Sequence, residues 1–197
     1  MTPKTFIFIG RSGCGKGTQA DLLMKVIKEK DPKRDTYYME TGAKFRDFLK
    51  GSSFSSKLSK KVSERGDLQP EFLSIYMWAN HLIEDLKGDE HLFMDGTPRK
   101  LHEAEVLHSA MEFYKREKPC VIFMNVSRKW SEDRLLARHR QDDGKDNVKK
   151  RLDWYDEEVV PTVEYYRNNQ NYTFLDINGE RTIEEIHSDI ISKLDFQ

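Results

Sequence analysis

The chain has 197 residues, of which 34% are charged, and its formal net charge at neutral pH is -1. This length suits one domain with a sizeable core, and the near balance of charge gives no overall field that would favour nucleic acid or an anionic membrane. No apolar run approaches the roughly 20 residues that span a bilayer, the start shows no signal-peptide cleavage region, and two cysteines give no disulfide framework, so a cytoplasmic protein without membrane or nucleic-acid partners is expected.

The first predicted element is a short buried strand over residues 5–9, which leads into the glycine-rich sequence GRSGCGKGT over 10–18. The apolar residues that follow keep the spacing of a helix. Glycines let successive backbone N–H groups curl around phosphate oxygens, and the helix N-terminus adds partial positive charge. Lys16 can then reach the β- and γ-phosphates. A strand, a turn ending in Gly-Lys and a helix therefore predict a phosphate-binding loop.

This loop departs from the general pattern at the position after the lysine. Ser or Thr usually stands there and its hydroxyl meets Mg²⁺, whereas this chain has Gly17 and places the hydroxyl on Thr18. Gly-Lys-Gly-Thr resembles the variant of the nucleoside monophosphate kinases, in which the metal is held largely through water. Cys14 also lies in the loop, where a helix N-terminus would lower its thiol pKa; we favour the alternative of a passive loop residue.

Strands alternate with helices further along the chain. A strand over 36–39 precedes residues 40–69, where short helical stretches are interrupted by small and polar residues. This pattern predicts a helical insert that is too short for a domain and long enough to be a movable flap. A helix over 71–87 then leads to an apolar strand over 91–95.

Asp95 closes that strand. Ligands of doubly wound sheets gather at the carboxyl ends of the strands. Asp95 is therefore a candidate to hold Mg²⁺ directly or through water, and the alternative is an ordinary turn residue.

The remaining pattern predicts helices ending near 114 and at 138, a strand over 119–126, a last strand over 172–177 and a last helix over 182–194. Five strands that alternate with helices predict an α/β fold, with a parallel sheet covered by helices on both faces. No repeat or low-complexity linker divides the chain, so a single domain over 1–197 is expected.

Arginines are the second group of candidate site residues. Guanidinium groups are permanently charged and bind phosphate in a bidentate manner, and phosphoryl transfer needs positioning and charge neutralisation more than covalent chemistry from the protein. Taken alone, each arginine would be interpreted as a solvated surface charge. Six lie on segments that could face the phosphate loop: Arg46, Arg99, Arg134, Arg138, Arg140 and Arg151.

From end to end, these motifs resemble the adenylate kinase family. Residues 13–18 match its phosphate loop, although Ser12 replaces the usual proline. Thr41-Gly42 with Arg46 matches the AMP-site motif. Residues 66–69 resemble the Gly-Lys-Leu-Val turn whose backbone faces the AMP base.

The second half of the chain continues the resemblance. Residues 95–99 are similar to the family's Asp-Gly-Phe-Pro-Arg motif, with Thr97 in place of the aromatic residue. Residues 134–155 look like the family's lid and its C-terminal helix, and residues 178–181 resemble the turn whose backbone contacts the ATP adenine. The resemblance implies a P-loop three-layer fold with a small helical monophosphate-binding insert at about 40–69 and a short lid at about 137–146.

The resemblance also implies roles for individual residues. The catalytic set would neutralise the transferring phosphoryl group or hold the AMP phosphate: Lys16, Arg99, Arg138, Arg140 and Arg151. The ATP-binding set would be Gly13, Cys14, Gly15, Lys16, Gly17, Thr18, Arg134, Arg138 and Arg181. The AMP-binding set would be Thr41, Gly42, Arg46, Asp67, Leu68, Gln69, Gly96, Thr97, Pro98, Arg99, Glu103, Arg140 and Arg151. Asp95 would organise Mg²⁺ through waters, and Arg134 would stack on the ATP base.

Residues 139–144 alone separate the two flanks of the lid. Such a lid is the family's short form, with no room or cysteines for a zinc-binding insert, and Asp142 or Asp143 would help to fix its arginines. The implied cofactor is therefore Mg²⁺ with ATP and no zinc, and the family-level expectation is a monomer. Insert and lid would close over the substrates and exclude water.

The acceptor base is the part of the prediction with open alternatives. The family usually has glutamine where this chain has Glu103, and an ionised carboxylate accepts from the adenine amino group but cannot donate to ring N1. It could pair instead with the N–H groups of guanine, or lie on the helix surface and contact no ligand. Gln69 and Thr97 also alter the base pocket, whereas Thr41 favours AMP, since UMP/CMP kinases usually have Ala there.

AMP is the predicted acceptor. The alternatives are another monophosphate, GMP or UMP/CMP, and two proteins of other classes: a non-catalytic nucleotide-binding regulator, and a hydrolase that uses ATP for mechanical work.

Overall fold

The structure, a computed structural model, describes residues 2–138 and 144–194. The elements in chain order are β1 (Thr5–Gly10), α1 (Lys16–Lys30), β2 (Thr36–Glu40), α2 (Thr41–Phe48), α3 (Phe54–Glu64), α4 (Glu71–Asp85), β3 (His91–Asp95), α5 (Leu101–Phe113), β4 (Cys120–Asn125), α6 (Arg128–Arg138), α7 (Lys145–Trp154), a π turn (Tyr155–Val159), α8 (Val160–Arg167), β5 (Thr173–Asn178) and α9 (Ile183–Lys193). Among these residues, five parallel strands form one sheet in the order β2-β3-β1-β4-β5. The predicted α/β fold with a parallel sheet is confirmed.

The central strand is β1, which pairs with β3 on one side and β4 on the other. Its register places Phe8 opposite Asp95 and Gly10 opposite Met124. Because the strands are parallel, their carboxyl ends share one edge of the sheet. The loop after β1 therefore lies beside the loops that follow β3 and β4.

Helices cover both faces of this sheet, and the alternation of β1 decides what each face buries. Phe6 and Phe8 pack in one apolar cluster with residues of α1 and α9. Ile7 and Ile9 pack in the other, with residues of α4, α5 and α8. The described chain contains no helix that is both long and apolar enough to cross a bilayer.

Several element bounds differ from the predicted ones. The first helix begins at Lys16, so the end of the glycine-rich loop already forms its first turn. Helix α3 begins at Phe54 rather than 57, because the Ser53 hydroxyl caps it by accepting a hydrogen bond from the Ser56 N–H at 3.0 Å. Helix α4 ends at Asp85, before the predicted 87.

Helical structure after Tyr155 was not predicted. The π turn leads directly from α7 into α8, and Pro161, which has no N–H to donate, stands in the first turn of α8. Helix α7 packs on α6 through Leu135, Val148 and Leu152. This packing brings the segment that carries Arg151 back towards the phosphate-binding loop.

Candidate active site

A cleft of about 810 Å³ opens at the carboxyl edge of the sheet. Its walls come from the loop after β1, the insert over 40–69, the loop after β3, and helices α6 and α7. The cleft brings together these predicted site residues: Gly13, Gly15, Lys16, Gly17, Thr18, Gly42, Arg46, Asp67, Leu68, Gln69, Asp95, Gly96, Pro98, Arg99, Arg134, Arg138 and Arg151.

The phosphate-binding loop has the backbone that its glycines allow. Gly13 and Gly15 have φ angles of 82° and 94°, in the left-handed region that side chains with a Cβ rarely adopt. Lys16 follows at the start of α1, and its Nζ donates to the carbonyl oxygens of Gly10 at 3.0 Å and Arg11 at 3.1 Å. The cation is thus held over the curled loop, where the helix N-terminus also favours an anion.

Cys14 does not line the cleft. Its side chain is 1% exposed and belongs to the apolar cluster beneath the loop, and its Sγ accepts from Lys16 Nζ at 3.6 Å. Burial raises the pKa of the thiol, and Lys16 lowers it by less. The structure agrees with the passive interpretation, and the suggestion of a lowered thiol pKa is wrong.

Asp95 lies at the end of β3, almost fully buried beside the loop. Burial raises the pKa of its carboxyl, whereas the positive charge of Lys16 and a hydrogen bond from Tyr38 Oη at 3.1 Å lower it. Mg²⁺ prefers oxygen ligands and keeps several waters. A single carboxylate next to a phosphate-binding loop fits that ion when water and phosphate oxygens supply the other ligands. The described chain has no group of three or more His, Cys, Asp or Glu that could hold a metal by itself.

The insert contributes Arg46, whose guanidinium donates to Glu40 Oε1 at 2.8 Å. Gln69 borders the cleft, but its amide is engaged within the insert. It accepts from Ser59 Oγ at 2.6 Å and donates to the Ser59 carbonyl at 3.1 Å. The Gln69 side chain therefore fixes the turn at the end of the insert.

Arg99 enters the cleft from the loop after β3. Its Nε donates to the Gly96 carbonyl at 2.8 Å, and its guanidinium lies 5.6 Å from the ring centroid of Trp154. Burial lowers the pKa of Arg99, while Glu103 and Asp95 raise it. The arginine is held in place before any anion arrives.

Three predicted AMP-site residues lie behind the cleft wall rather than on it. Thr97 and Glu103 are each 1% exposed and Thr41 is 2% exposed. The Thr41 Oγ1 has no hydrogen-bond partner within the described residues. Thr41 and Glu103 border a neighbouring cavity of about 20 Å³, which has room for about one water.

The lid arginines are placed in part. Arg134, Arg138 and Arg151 line the cleft, and the Arg134 guanidinium lies 4.6 Å from the ring centroid of Trp130. Arg181 does not reach this cleft: it donates to the Asn178 carbonyl and to Asp189, and it borders a separate polar pocket. The predicted residues Arg140, Asp142 and Asp143 lie outside the described residues.

The sequence patterns do not point to several residues at or beside this site, and Tyr38 and Arg11 are two examples. Tyr38 lines the cleft and donates to Asp95. Arg11, inside the phosphate loop, donates to Asp156 Oδ1 at 2.6 Å and to the Val126 carbonyl at 3.2 Å. A second cation within a glycine-rich loop is a signal that could have identified Arg11. Nothing in the sequence near Tyr38 points to Asp95.

The arrangement suits the transfer of a phosphoryl group between two phosphate chains. Lys16 approaches from the loop after β1, Arg46 from the insert, Arg99 from the loop after β3, and Arg138 and Arg151 from α6 and α7. Cations that surround one cleft neutralise the charge of phosphates and of the transition state between them.

Comparison with known proteins agrees with this geometry. The family model described as adenylate kinase matches residues 8–171. The adenylate kinase of Oenococcus oeni is 30% identical over 181 residues, covering 91% of this chain and 93% of the relative. That of Flavobacterium psychrophilum is 30% identical over 196 residues, covering 95% and 98%, and that of Prochlorococcus marinus strain AS9601 is 27% identical over 191 residues, covering 97% and 98%. The chain belongs to the adenylate kinase family.

Proposed function

We propose that this chain is a nucleoside monophosphate kinase, an adenylate kinase, that transfers the γ-phosphoryl group of ATP reversibly to AMP and gives two ADP. Membership of the family supports the activity. The observation that carries the site proposal is the convergence of Lys16, Arg46, Arg99 and Arg151 on one cleft beside Asp95.

In the proposed reaction an oxygen of the AMP phosphate forms a bond to the γ-phosphorus as the bond from that phosphorus to the bridging oxygen of ADP breaks. The bonding electron pair leaves with ADP, so no protein group has to give or take a proton. The protein holds the two phosphates in line and offsets their charge. A cleft that is rich in cations suits a reaction in which the protein positions phosphates and neutralises their charge.

We propose two groups of binding residues within that cleft. The loop lysine Lys16, with Arg134 and Arg138 on α6, would hold the phosphates and base of ATP. Arg46, on the insert, and Arg99, on the loop after β3, would hold the AMP phosphate; both line the cleft, and the family resemblance implies this role for both. Arg151, on α7, would neutralise the group in transfer, together with Arg140.

Mg²⁺ would be held at Asp95 through water, and when bound it supplies charge neutralisation across the ATP phosphates. Tyr38 and Lys16 support this proposal, since both favour the ionised carboxylate that such a shell of waters requires.

Other parts of the proposal rest on the family resemblance. We propose one kinase domain with an insert at about 40–69 and a short lid at about 137–146, acting as a monomer in the cytoplasm and without zinc. Light scattering of the purified chain tests whether it is a monomer, and the mass of a dimer would contradict that part of the proposal.

The direct test of activity is an acceptor panel. The purified chain is mixed with Mg-ATP and separately with AMP, GMP, CMP, UMP or dTMP, and diphosphate formation is followed by chromatography. We expect rapid ADP formation with AMP. Preference for another acceptor would overturn the choice of AMP, and no transfer to any acceptor would overturn the kinase proposal.

The variant that tests the phosphate-binding loop is Lys16→Met, which keeps the length of the side chain and removes its charge. We expect transfer to AMP to fall by roughly 10²- to 10⁴-fold, because the transition state loses a preorganised cation. The thermal unfolding midpoint should stay close to that of the parent. Near-normal turnover would show that the loop does not act on phosphate.

A further inference from the structure

Glu103 is a buried carboxylate whose hydrogen-bonding capacity is fully used within the protein. Its Oε1 accepts from Ser74 Oγ at 2.7 Å, from Trp78 Nε1 at 3.1 Å and from Thr97 Oγ1 at 2.8 Å. Two of these donors come from α4, and the third comes from the loop between β3 and α5. One oxygen therefore joins that loop to the neighbouring helix.

The second oxygen of Glu103 holds the backbone of the same loop. Oε2 accepts from the Arg99 N–H at 2.8 Å and, more weakly, from the Lys100 N–H at 3.4 Å. Five donors thus point at a group with about four lone-pair sites. No capacity is left for the amino group of adenine or for the N–H groups of guanine.

Two departures from the family pattern meet in this network. Thr97 stands in place of the usual aromatic residue and Glu103 in place of the usual glutamine, and the two side chains are bonded to each other. Each is 1% exposed. Each of the two side chains therefore has a buried hydrogen-bond partner within the protein.

We propose that Glu103 is a positioning residue: its carboxylate fixes the loop over 96–100 and so aims Arg99 at the phosphate of the acceptor, and it does not contact the acceptor base. This inference rests on the proposed function. The base is then selected by other groups, and substitution of Glu103 changes how well acceptors bind without changing their order.

The test compares Glu103→Gln with Glu105→Gln, the same change at an exposed position of the same helix. A glutamine at 103 has one acceptor oxygen. With its NH₂ at the Oε1 position, the hydroxyls of Ser74 and Thr97 can turn to accept, but the Trp78 N–H loses its acceptor; with its NH₂ at the Oε2 position, the Arg99 N–H loses its acceptor. In either orientation one buried N–H faces a donor, and the network that anchors the loop is weakened.

We expect the KM for AMP and for every other acceptor that the parent uses to rise by a common factor of about fivefold or more, with the KM for ATP changed by less than about twofold. Glu105→Gln should match the parent. A change in the order of acceptors would show that Glu103 contacts the base. A smaller fraction of active protein with unchanged KM values would show a purely structural role. Either result overturns the proposal.

Thr97→Val is the milder variant if Glu103→Gln does not fold. It removes one donor from the network and keeps the shape of the side chain, so we expect the same pattern at about two- to threefold. An altered order of acceptors, or unchanged KM values for all of them, would again overturn the proposal.

Calorimetric titration with AMP separates this inference from the proposed function. If the parent transfers phosphate to no acceptor, the kinase proposal fails, yet AMP affinity still decides the role of Glu103. We expect Glu103→Gln to weaken AMP binding by about fivefold or more, and to shift the indole N–H resonance of Trp78. Unchanged affinity would overturn the inference whatever the activity.

Discussion

The contact between Tyr38 and Asp95 joins β2 to β3, the two strands on one side of the central strand β1. Tyr38 Oη donates to Asp95 Oδ2 at 3.1 Å, and a Cβ placed on Gly17 would lie 3.6 Å from both atoms. The phenol therefore sits beside the position where other phosphate loops carry a Ser or Thr hydroxyl. Burial and Asp95 raise the pKa of Tyr38, so its hydroxyl stays a donor.

Tyr38→Phe removes that donor, and we expect a shift in the pH dependence of the reaction. The hydrogen bond favours the ionised carboxylate, so its loss raises the pKa of Asp95 further above the ordinary value. The acid limb of kcat/KM for Mg-ATP should move to higher pH, and on that limb the variant should be slower by about fivefold, as expected for a hydrogen bond of ~1 kcal/mol.

Tyr37→Phe is the matched control, because the adjacent hydroxyl donates to Asp85 on α4 instead. Its pH profile should coincide with that of the parent. If Tyr38→Phe also left the acid limb unmoved, Asp95 would not control the reaction through its ionisation.

For individual residues, the sequence predicts the position of a side chain when that residue belongs to a local motif. Lys16 and Asp95 could be placed because a glycine-rich turn and the end of a strand fix where such side chains go. Tyr38 could not, since its partner Asp95 is 57 positions away, and Glu103 could be placed only in part, since Ser74 and Trp78 donate to it from 29 and 25 positions away. Which donors α4 presents to Glu103 is decided by helix packing, which no local pattern contains.

Between elements, the clearest contact is that of the insert with α7. Trp154 Nε1 donates to the Gly66 carbonyl at 3.3 Å, and Lys150 Nζ donates to the Arg65 carbonyl at 2.7 Å. Gly66 has a φ of 74°, and a Cβ there would lie 2.8 Å from Asn147 Oδ1. The close approach of the turn to α7 therefore depends on glycine, and it shapes the wall of the cleft near Arg99.

Gly66→Ala should push the insert away from α7, and Gly88→Ala is its control. Gly88 also has a positive φ, of 108°, but nothing lies within 4 Å of a Cβ there. Both variants should lose about 1 kcal/mol of unfolding free energy from backbone strain. Only Gly66→Ala should also raise the KM for AMP, by about threefold to tenfold, in steady-state assays at saturating ATP. Equal KM values in the two variants would show that the contact with α7 does not shape acceptor binding.

Helical periodicity predicted the insert and most helices, but it did not predict the segment from α7 to α8. Pro161 and the charged residues 156–158 interrupt the apolar pattern there. In the structure this segment forms a π turn, and Tyr155 and Val159 of that turn are buried. The turn is stabilised by tertiary contacts, including the Arg11 guanidinium 4.2 Å from the Tyr155 ring centroid. Such contacts override local propensity.

Across the whole molecule, one buried histidine links the start of β1, the end of α1 and β3. His91 is 0% exposed; its Nδ1 accepts from the Lys4 N–H at 3.1 Å and its Nε2 lies 3.4 Å from Asp31 Oδ2. Burial lowers the pKa of the imidazole, and Arg34 and Arg116 lower it further, while Asp31 raises it. The folded protein therefore prefers neutral His91.

This preference makes stability depend on pH with a definite sign. Because the folded pKa lies below the unfolded value of about 6.5, the contribution is complete above that pH and is lost as pH falls towards the folded pKa, at up to about 1.4 kcal/mol per pH unit. His91→Gln should therefore lower the free energy of unfolding at neutral pH yet flatten its fall below pH ~6.5. His187, whose pKa burial also lowers, should leave a residual slope.

His102→Gln is the control with the opposite sign. Glu71 raises the pKa of His102 in the folded state, so that histidine contributes stability below the unfolded pKa, and the contribution is lost as pH rises through the folded pKa. The His102→Gln variant should therefore show a steeper decrease in the free energy of unfolding as the pH falls, whereas His91→Gln should show a shallower one. Denaturant titrations of both variants across this range measure the two slopes. If His91→Gln kept the parent's slope, the charge on His91 would not be what destabilises the fold in acid.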